Sequence, residues 1–241
     1  MKIAICISGI PRGNMKQNLA LLKSKFPYDV YLGSWSGHEI PNNLLVNGRH
    51  YYDTPKMHYH PILDTEPISP KLESIKNKMT NGVMRSDYYE RTLHHTKQIL
   101  IHSYLLKDIP DKYDMIIRSR YDTVISTKVD LQKYLHKSYD ENIAIGFGTR
   151  TSRHKDFNVL KEIPKIYPDG KDETISNDWG WYLMDPLIMH PRKIFDNNLV
   201  NSLHNNKKLL PAENGWYQIL SEPYNDNHLC VYGGAQIEKY L

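Results

Sequence analysis

The sequence predicts an α/β fold: a central, mostly parallel sheet flanked by helices, in a Rossmann-like three-layer arrangement. Two observations carry this expectation. Ile3 to Ile7 are consecutive apolar residues, followed by a turn at Ser8-Gly9-Ile10-Pro11-Arg12-Gly13-Asn14, a helical pattern and a second apolar run. That is a βαβ unit. Much later, a long helical pattern leads into Met115-Ile116-Ile117, an apolar run that ends abruptly in Arg118, Arg120 and Asp122. A second helix-to-strand crossover of the right-handed kind follows from it.

The elements follow in order. Residues 2–8 read as a strand buried on both faces, because its apolar residues do not alternate. Leu19, Leu22 and Phe26 recur at helical spacing, so a helix starts near Met15 and stops at Pro27. Residues 29–35 read as the second strand. Residues 38–70 are polar and without period, and read as a surface insertion. Ser69-Pro70 has the form of a helix start. Asp87 and Glu90 resemble a capping box for the clearest helix, residues 88–106, with Leu93, Leu100 and Tyr104 on one face. Asp130 caps a short helix to His136. Residues 142–147 read as a strand, and Gly146-Phe147-Gly148 predicts close backbone approach. Residues 150–174 read as loop, 179–184 and 187–190 as two strands around Asp185-Pro186. Pro191 and Pro211 open helices to about His204 and Leu220, and residues 228–232 form the last strand.

At 241 residues the chain is read as a single domain, 1–241, able to bury a core without staples. No apolar stretch is long enough for a membrane span. The N-terminal run lacks a signal-peptide cleavage pattern and reads as the first core strand. Cys6 and Cys230 both lie in apolar runs, as buried thiols of a reducing, cytoplasmic setting do. A net charge of +4 fits anionic substrates but supplies no basic patch of the nucleic-acid-binding kind.

The chemistry concentrates at strand ends. Open α/β sheets place ligands beyond their carboxyl ends, so Arg118, Arg120 and Asp122 are expected at the mouth of a cleft. Guanidiniums offer bidentate hydrogen bonds to phosphate oxygens. A carboxylate holds a divalent cation bridging the same phosphates, with oxygen ligands favouring Mg²⁺ or Mn²⁺. The trio suits a metal-bound nucleoside diphosphate; the alternative is an internal Arg–Asp salt bridge that shapes a turn. His228, ahead of the last strand, is a candidate second metal ligand, or else a surface histidine. Arg12 is placed to stack on a base or pair with phosphate. Asp178, before Trp179-Gly180-Trp181, suits sugar binding: rings stack on the apolar sugar face and the acid accepts from hydroxyls. Glu213 reads as an acceptor base or as a helix-dipole partner. Asp122, at a cleft rather than in the core, is expected to matter for turnover more than for folding.

Residues 2–9 with Pro11-Arg12, residues 29–32 with Trp35, and Tyr113 to Asp122 together resemble viral and bacterial glycosyltransferases of the GT-A fold. The likeness is to small capsid glycosyltransferases of large algal viruses and to lipopolysaccharide-type enzymes. It implies a nucleotide-sugar donor, a UDP-sugar, and a divalent metal, manganese. By the same resemblance Ser8, Gly9 and Arg12 match the nucleoside-binding turn, and Asp178 the acidic segment facing donor sugar and acceptor. The family's Asp-x-Asp pair falls on Arg120-Tyr121-Asp122, where only the last acid remains. Arg118, Arg120 and Tyr121 thereby join the donor-contacting set, and Asp122 with His228 the metal set. The acceptor stays open between a glycan, a protein and a hydroxymethylated DNA base. A metal-dependent phosphoesterase or nuclease built on Asp122, Asp178 and Glu213 is the competing enzyme class, and a nucleic-acid-binding protein the non-enzymatic one.

Overall fold

A computed structural model describes residues 1–13, 15–16, 19–20, 22, 28–56, 86–125, 129–148, 171–173, 183–206, 212–232 and 235–237. Of residues 86–93, 171–173, 232 and 236–237, only the backbone is described. The strands are β1 (Ile3–Ser8), β2 (Asp29–Trp35), β3 (Gly48–Tyr52), β4 (Met115–Ser119), β5 (Thr123–Ile125), β6 (Ala144–Gly148), β7 (Lys171–Glu173), β8 (Leu187–Pro191), β9 (His228–Tyr232) and β10 (Ala235–Ile237). Among the described residues, eight of them form one sheet in the order β3-β2-β1-β4-β8-β6-β9-β7, and β5 and β10 pair as a separate antiparallel ribbon. β8 runs antiparallel to β4 and β6, and β7 antiparallel to β9; every other pairing in the large sheet is parallel. This is a Rossmann-like α/β fold, as the sequence predicts.

Burial explains the unbroken apolar run of β1. Its Ala4 and Cys6 face one layer, with Ile116 of β4 and helices α1 (Ser86–Asp108), α3 (Asn197–Asn205) and α4 (Ala212–Leu220). Ile3, Ile5 and Ile7 face the other, with Met115 and Ile117, the helical Met15, Leu19 and Leu22, and α2 (Leu131–Glu141). A strand covered on both sides cannot alternate polar with apolar. Cys6 and Cys230 are buried free thiols, and burial pushes Cys6 up to about 12. No helix among the described residues is long and apolar enough to cross a membrane.

Several boundaries differ from the sequence expectation. The polar segment after β2 is not all excursion: Gly48–Tyr52 adds β3 in parallel to β2, with Tyr31 opposite Gly48. It is an edge strand, half exposed, so its composition carries no apolar signal. Residues 57–70 of that segment, and the Ser69-Pro70 helix start, lie outside the described residues. α1 already includes Ser86, so Asp87 stands inside the helix and not at its cap. Asp130 does cap α2, accepting from the N–H groups of Gln132 (3.1 Å) and Lys133 (3.2 Å). That helix continues to Glu141 and ends on Asn142 in the left-handed region, φ 56°. Pro191 ends β8 rather than opening a helix; a short 3-10 turn, Arg192–Ile194, intervenes, and Asp196 caps α3 through Asn198 N–H at 2.7 Å. Residues 183–185 are not strand, and residues 179–182 lie outside the described residues. β5, β7 and β10, of three residues each, are too short to show a period.

Gly146 fulfils its expected role. A Cβ there would lie 2.5 Å from the Met184 carbonyl oxygen and 2.8 Å from its nitrogen. The missing side chain lets the backbone at Met184 cross directly over β6 and lead Asp185 to the edge of the sheet.

A buried histidine pair lies in the helix-facing layer. His190 Nδ1 is 2.9 Å from the Pro191 carbonyl, which only accepts, so Nδ1 donates and Nε2 keeps its lone pair. His102 Nε2, 3.5 Å from it, supplies the proton. Phe195 and Trp216 enclose the pair, each edge-on to His102. Burial pulls His190 down to about 4, with Arg192 and Arg118 adding to the effect; burial and the His190 neighbour hold His102 well below its usual range. His190 therefore binds its proton more weakly folded than unfolded. Its stabilising contribution is intact above its ordinary value of 6.5 and shrinks as pH falls towards 4. Chemical denaturation at a series of pH values should show stability declining over that window, by on the order of 3 kcal/mol from His190 alone. His190→Phe should flatten the decline.

Candidate functional site

β1 continues to β2 on one side and lies against β4 on the other, so the sheet order reverses between β1 and β4. Ligand crevices of open α/β sheets form at that switch, beyond the carboxyl ends. β1 ends there in Ser8, which is buried and whose hydroxyl has no hydrogen-bond partner among the described residues. Gly9 follows at φ 131°, its N–H donating to the Gly33 carbonyl at 3.1 Å. That backbone conformation favours glycine. A Cβ on Gly9 would meet nothing within 4 Å among the described residues.

Arg12 leaves this turn and crosses to Asp122, beyond β4. Its Nε and Nη2 stand 2.8 and 2.7 Å from Asp122 Oδ2. Arg120 holds the same carboxylate from the other side, Nε to Oδ1 at 2.8 Å and Nη2 to Oδ2 at 2.9 Å. Its remaining nitrogen, Nη1, reaches Asp185 Oδ2 at 3.5 Å. Arg118 Nη1 lies 3.9 Å from the same oxygen and also donates to the Asp185 carbonyl. The result is a ladder of alternating charge, Arg12–Asp122–Arg120–Asp185–Arg118, with one more cation than anion. Only one end meets solvent: the Arg12 side chain is 55% exposed, Asp122 8% and Arg118 not at all. Burial alone would raise the Asp122 carboxyl, but hydrogen bonds and charge from Arg120 and Arg12 outweigh it and hold it below the usual carboxylate range.

Glu213 stands in the first turn of α4, and its carbonyl accepts from Leu183 N–H at 3.1 Å, just ahead of Asp185. Burial pushes its carboxyl up to about 7; the Asp185 charge adds to this and Arg120 opposes it. Near neutral pH it is divided between acid and base.

The structure thus brings Ser8, Gly9, Arg12, Arg120 and Asp122 to one sheet edge, with Glu213 in electrostatic contact with Arg120. Arg118 and Tyr121 lie beneath that edge rather than at a cleft mouth. Arg118 is on the face of β4 turned to the helices, stacked 4.7 Å over Trp216 and donating to Gln98 Oε1 at 3.2 Å. Tyr121 is buried, its hydroxyl donating to the Gly33 carbonyl at 3.2 Å. His228 does not join Asp122. It opens β9 opposite Ala144, at the amino end of that strand, with Nδ1 2.9 Å from the Asp226 carbonyl. The register puts it three residues below Ser119 and three strands away, roughly 17 Å even before Asp122 is reached. Asp178, Trp179 and Trp181 lie outside the described residues. Asp185 is the site residue the sequence reading passed over. Its one signal was position, at the turn before a strand that runs antiparallel to β4.

A divalent cation needs several oxygen ligands in a cage. Both Asp122 oxygens are already held by guanidiniums. Among the described residues no group of three His, Cys, Asp or Glu could hold a metal ion. The expected Mn²⁺ or Mg²⁺ site does not fit this donor set.

Neither a protein-family model nor a curated protein matches the chain. Solved structures similar to it include Staphylococcus aureus TarS 1–349 in complex with UDP-GlcNAc, at 11% identity and TM-score 0.46, over 98% of this chain and 58% of that one. Mouse xyloside xylosyltransferase 1 in its apo form is 11% identical, TM-score 0.36, over 94% of this chain and 83% of that one. A 4-diphosphocytidyl-2C-methyl-D-erythritol synthase from Anaerococcus prevotii is 9% identical, TM-score 0.38, over 90% and 98%. The chain thus spans under two thirds of the TarS fragment. Identities this low transfer no residue roles.

The ladder matches the alternative reading of an internal Arg–Asp salt bridge, and with it a folding role for Asp122 beside the expected one in turnover. Asp122→Asn strips a buried carboxylate from two arginines, and Arg120 keeps only Asp185. Breaking a buried pair from one side costs about 3–5 kcal/mol; the retained amide oxygen trims this to about 2–4. Thermal unfolding should show a fall of roughly 5–12 °C in Tm. An unchanged Tm would mean the ladder carries no stability.

Proposed function

We propose that the chain is a nucleotide-sugar-dependent glycosyltransferase, moving a sugar from a UDP-sugar to an acceptor hydroxyl. One observation carries this reading: Arg12, fixed by Asp122, presents an exposed guanidinium at the sheet edge where β1 and β4 end, with Glu213 within electrostatic reach of the same ladder through Asp185 and Arg120. The first answers an anionic leaving group, the second an acceptor proton. Transfer from a phosphate-activated donor to a hydroxyl uses both.

Arg12 offers its unused N–H groups to the phosphate oxygens, and the Ser8 hydroxyl and the Gly9 turn border the nucleoside. The acceptor oxygen bonds to the anomeric carbon as the bond from that carbon to the phosphate oxygen breaks. The electron pair leaves with the diphosphate, where a fixed positive charge stabilises it most as it forms. Glu213 in its carboxylate form takes the acceptor proton. Asp178, with Trp179 and Trp181, is retained on sequence grounds as the sugar-facing segment. The acceptor is a glycan, a protein or a hydroxymethylated base. A metal-dependent phosphoesterase would need Asp122 free for a cation, and two arginines hold it.

Incubation with a panel of nucleotide-sugars should release UDP from one of them. Absence of release from every donor, with glycan, protein and modified-DNA acceptors present, would remove this reading. Because Glu213 acts deprotonated, turnover should rise with pH through about 7 and level off above it. Glu213→Gln should lower kcat by on the order of 10²–10⁴ and abolish that pH limb, with Tm unchanged or raised, since the amide carries no buried charge. Asp178→Asn should lower sugar transfer while leaving UDP affinity and melting unaltered; transfer at the wild-type rate would exclude Asp178 from the site.

A further inference from the structure

We propose that Arg12, held by Asp122, takes the place of a divalent cation at the donor diphosphate. This rests on reading the site as one for a nucleoside diphosphate donor, and adds how that diphosphate is neutralised.

The argument begins with hydrogen-bond capacity. A guanidinium has five N–H donors. Arg120 commits Nε and Nη2 to Asp122 and turns Nη1 to Asp185. It is a positioning residue with little left to give. Arg118 is enclosed against Trp216 and Asp185. Arg12 differs from both. One edge, Nε and Nη2, rests on Asp122 Oδ2, and the side chain remains 55% exposed. It is by far the most exposed guanidinium of the ladder, and it rises from the same turn as Gly9 and the Ser8 hydroxyl, which has no hydrogen-bond partner among the described residues.

Charge points the same way. Arg12, Arg120 and Arg118 face Asp122 and Asp185, leaving one positive charge in excess. A cation entering here would meet three guanidiniums, and at Asp122 it would compete with one short guanidinium contact on Oδ1 and three on Oδ2. An anion meets the opposite situation. Asp122 is buried and gripped by Arg120, so it fixes Arg12 before any ligand arrives, and a preorganised donor loses little freedom on binding. The carboxylate that the Asp-x-Asp pattern would give to a metal instead aims an arginine.

Calorimetric titration of the full chain with UDP, in excess EDTA and separately in Mn²⁺, tests this. UDP should bind in EDTA within about threefold of its affinity in Mn²⁺. Arg12→Ala should weaken UDP in EDTA by on the order of tenfold or more, as expected for loss of charge-assisted hydrogen bonds to phosphate. Uridine, which has no phosphate, should bind both proteins alike, which a merely structural role for Arg12 would not produce. Arg12→Lys, keeping charge without the fork, should fall between them and stands in if the alanine variant does not fold. UDP binding that requires Mn²⁺ overturns the inference; sugar transfer supported by that Mn²⁺ would still leave the glycosyltransferase reading standing. Wild-type UDP affinity in both Arg12 variants also overturns it. No UDP binding in either condition removes both.

Discussion

The arrangement of this sheet edge depends on one carboxylate held from two sides. Asp122 joins a turn after β1 to a turn after β4 through Arg12 and Arg120, and it does so nearly out of solvent. Pairing β1 with β4 brings these two chain segments level, Ile7 opposite Ser119, but backbone pairing stops there. Beyond the last ladder bond each strand is free to splay. The shared carboxylate continues the pairing by side chains for three further residues. It thereby ties the two turns together where the sheet order reverses.

A buried ion pair is weak evidence for stability in itself, since desolvating the charges offsets most of their attraction. Here the chain has lined up five such groups, and the gain is geometric. Arg120 sits between two carboxylates, Arg118 lies against Trp216 and Arg12 is held along one edge by Asp122, so each has fixed directions for its remaining donors. β8 makes this possible by running antiparallel. Its entry, at Asp185-Pro186, falls beside the exit of β4, where a parallel neighbour would have placed only its own exit. The Pro186 carbonyl accepts from the Thr123 hydroxyl at 2.7 Å and locks the two turns together.

The core was legible in the sequence and the edge only partly so. Runs such as Ile3 to Ile7 and Met115 to Ile117 report burial on both faces, and burial on both faces requires covering helices. Asp130 announced its helix because a cap acts within three residues. What stayed hidden has no local signature. β3 is half exposed, so nothing in its composition separates it from a loop. Strand order and direction leave no trace in hydrophobic periodicity, so periodicity does not tell that His228, a candidate metal ligand, opens its strand at the edge opposite Asp122, or that Asp185 enters beside the exit of β4. Arg12 and Asp122 were each found as ligand candidates. That they bind each other across 110 residues is a tertiary fact, and it changes the chemistry available to both.

Asp185 shows how far one such pairing reaches. Its carboxylate draws Arg120 and Arg118 towards it, and its negative charge also adds to the burial that lifts Glu213 towards neutrality. The two effects have opposite signs for the groups concerned: cations are stabilised and a neighbouring acid is kept from ionising. A single anion therefore separates the roles of this edge, a cationic face at Arg12 and a proton-accepting carboxyl at Glu213, without any partition of space between them. Arg120 limits the second effect, because its charge opposes the rise at Glu213. Were Arg120 neutral, nothing would oppose the effect of the Asp185 charge on Glu213, and Asp122 would lose its inner partner. The order of charges along the ladder, not the presence of any one residue, is what makes an acid-rich turn and an arginine-rich strand end compatible in one small, largely buried volume.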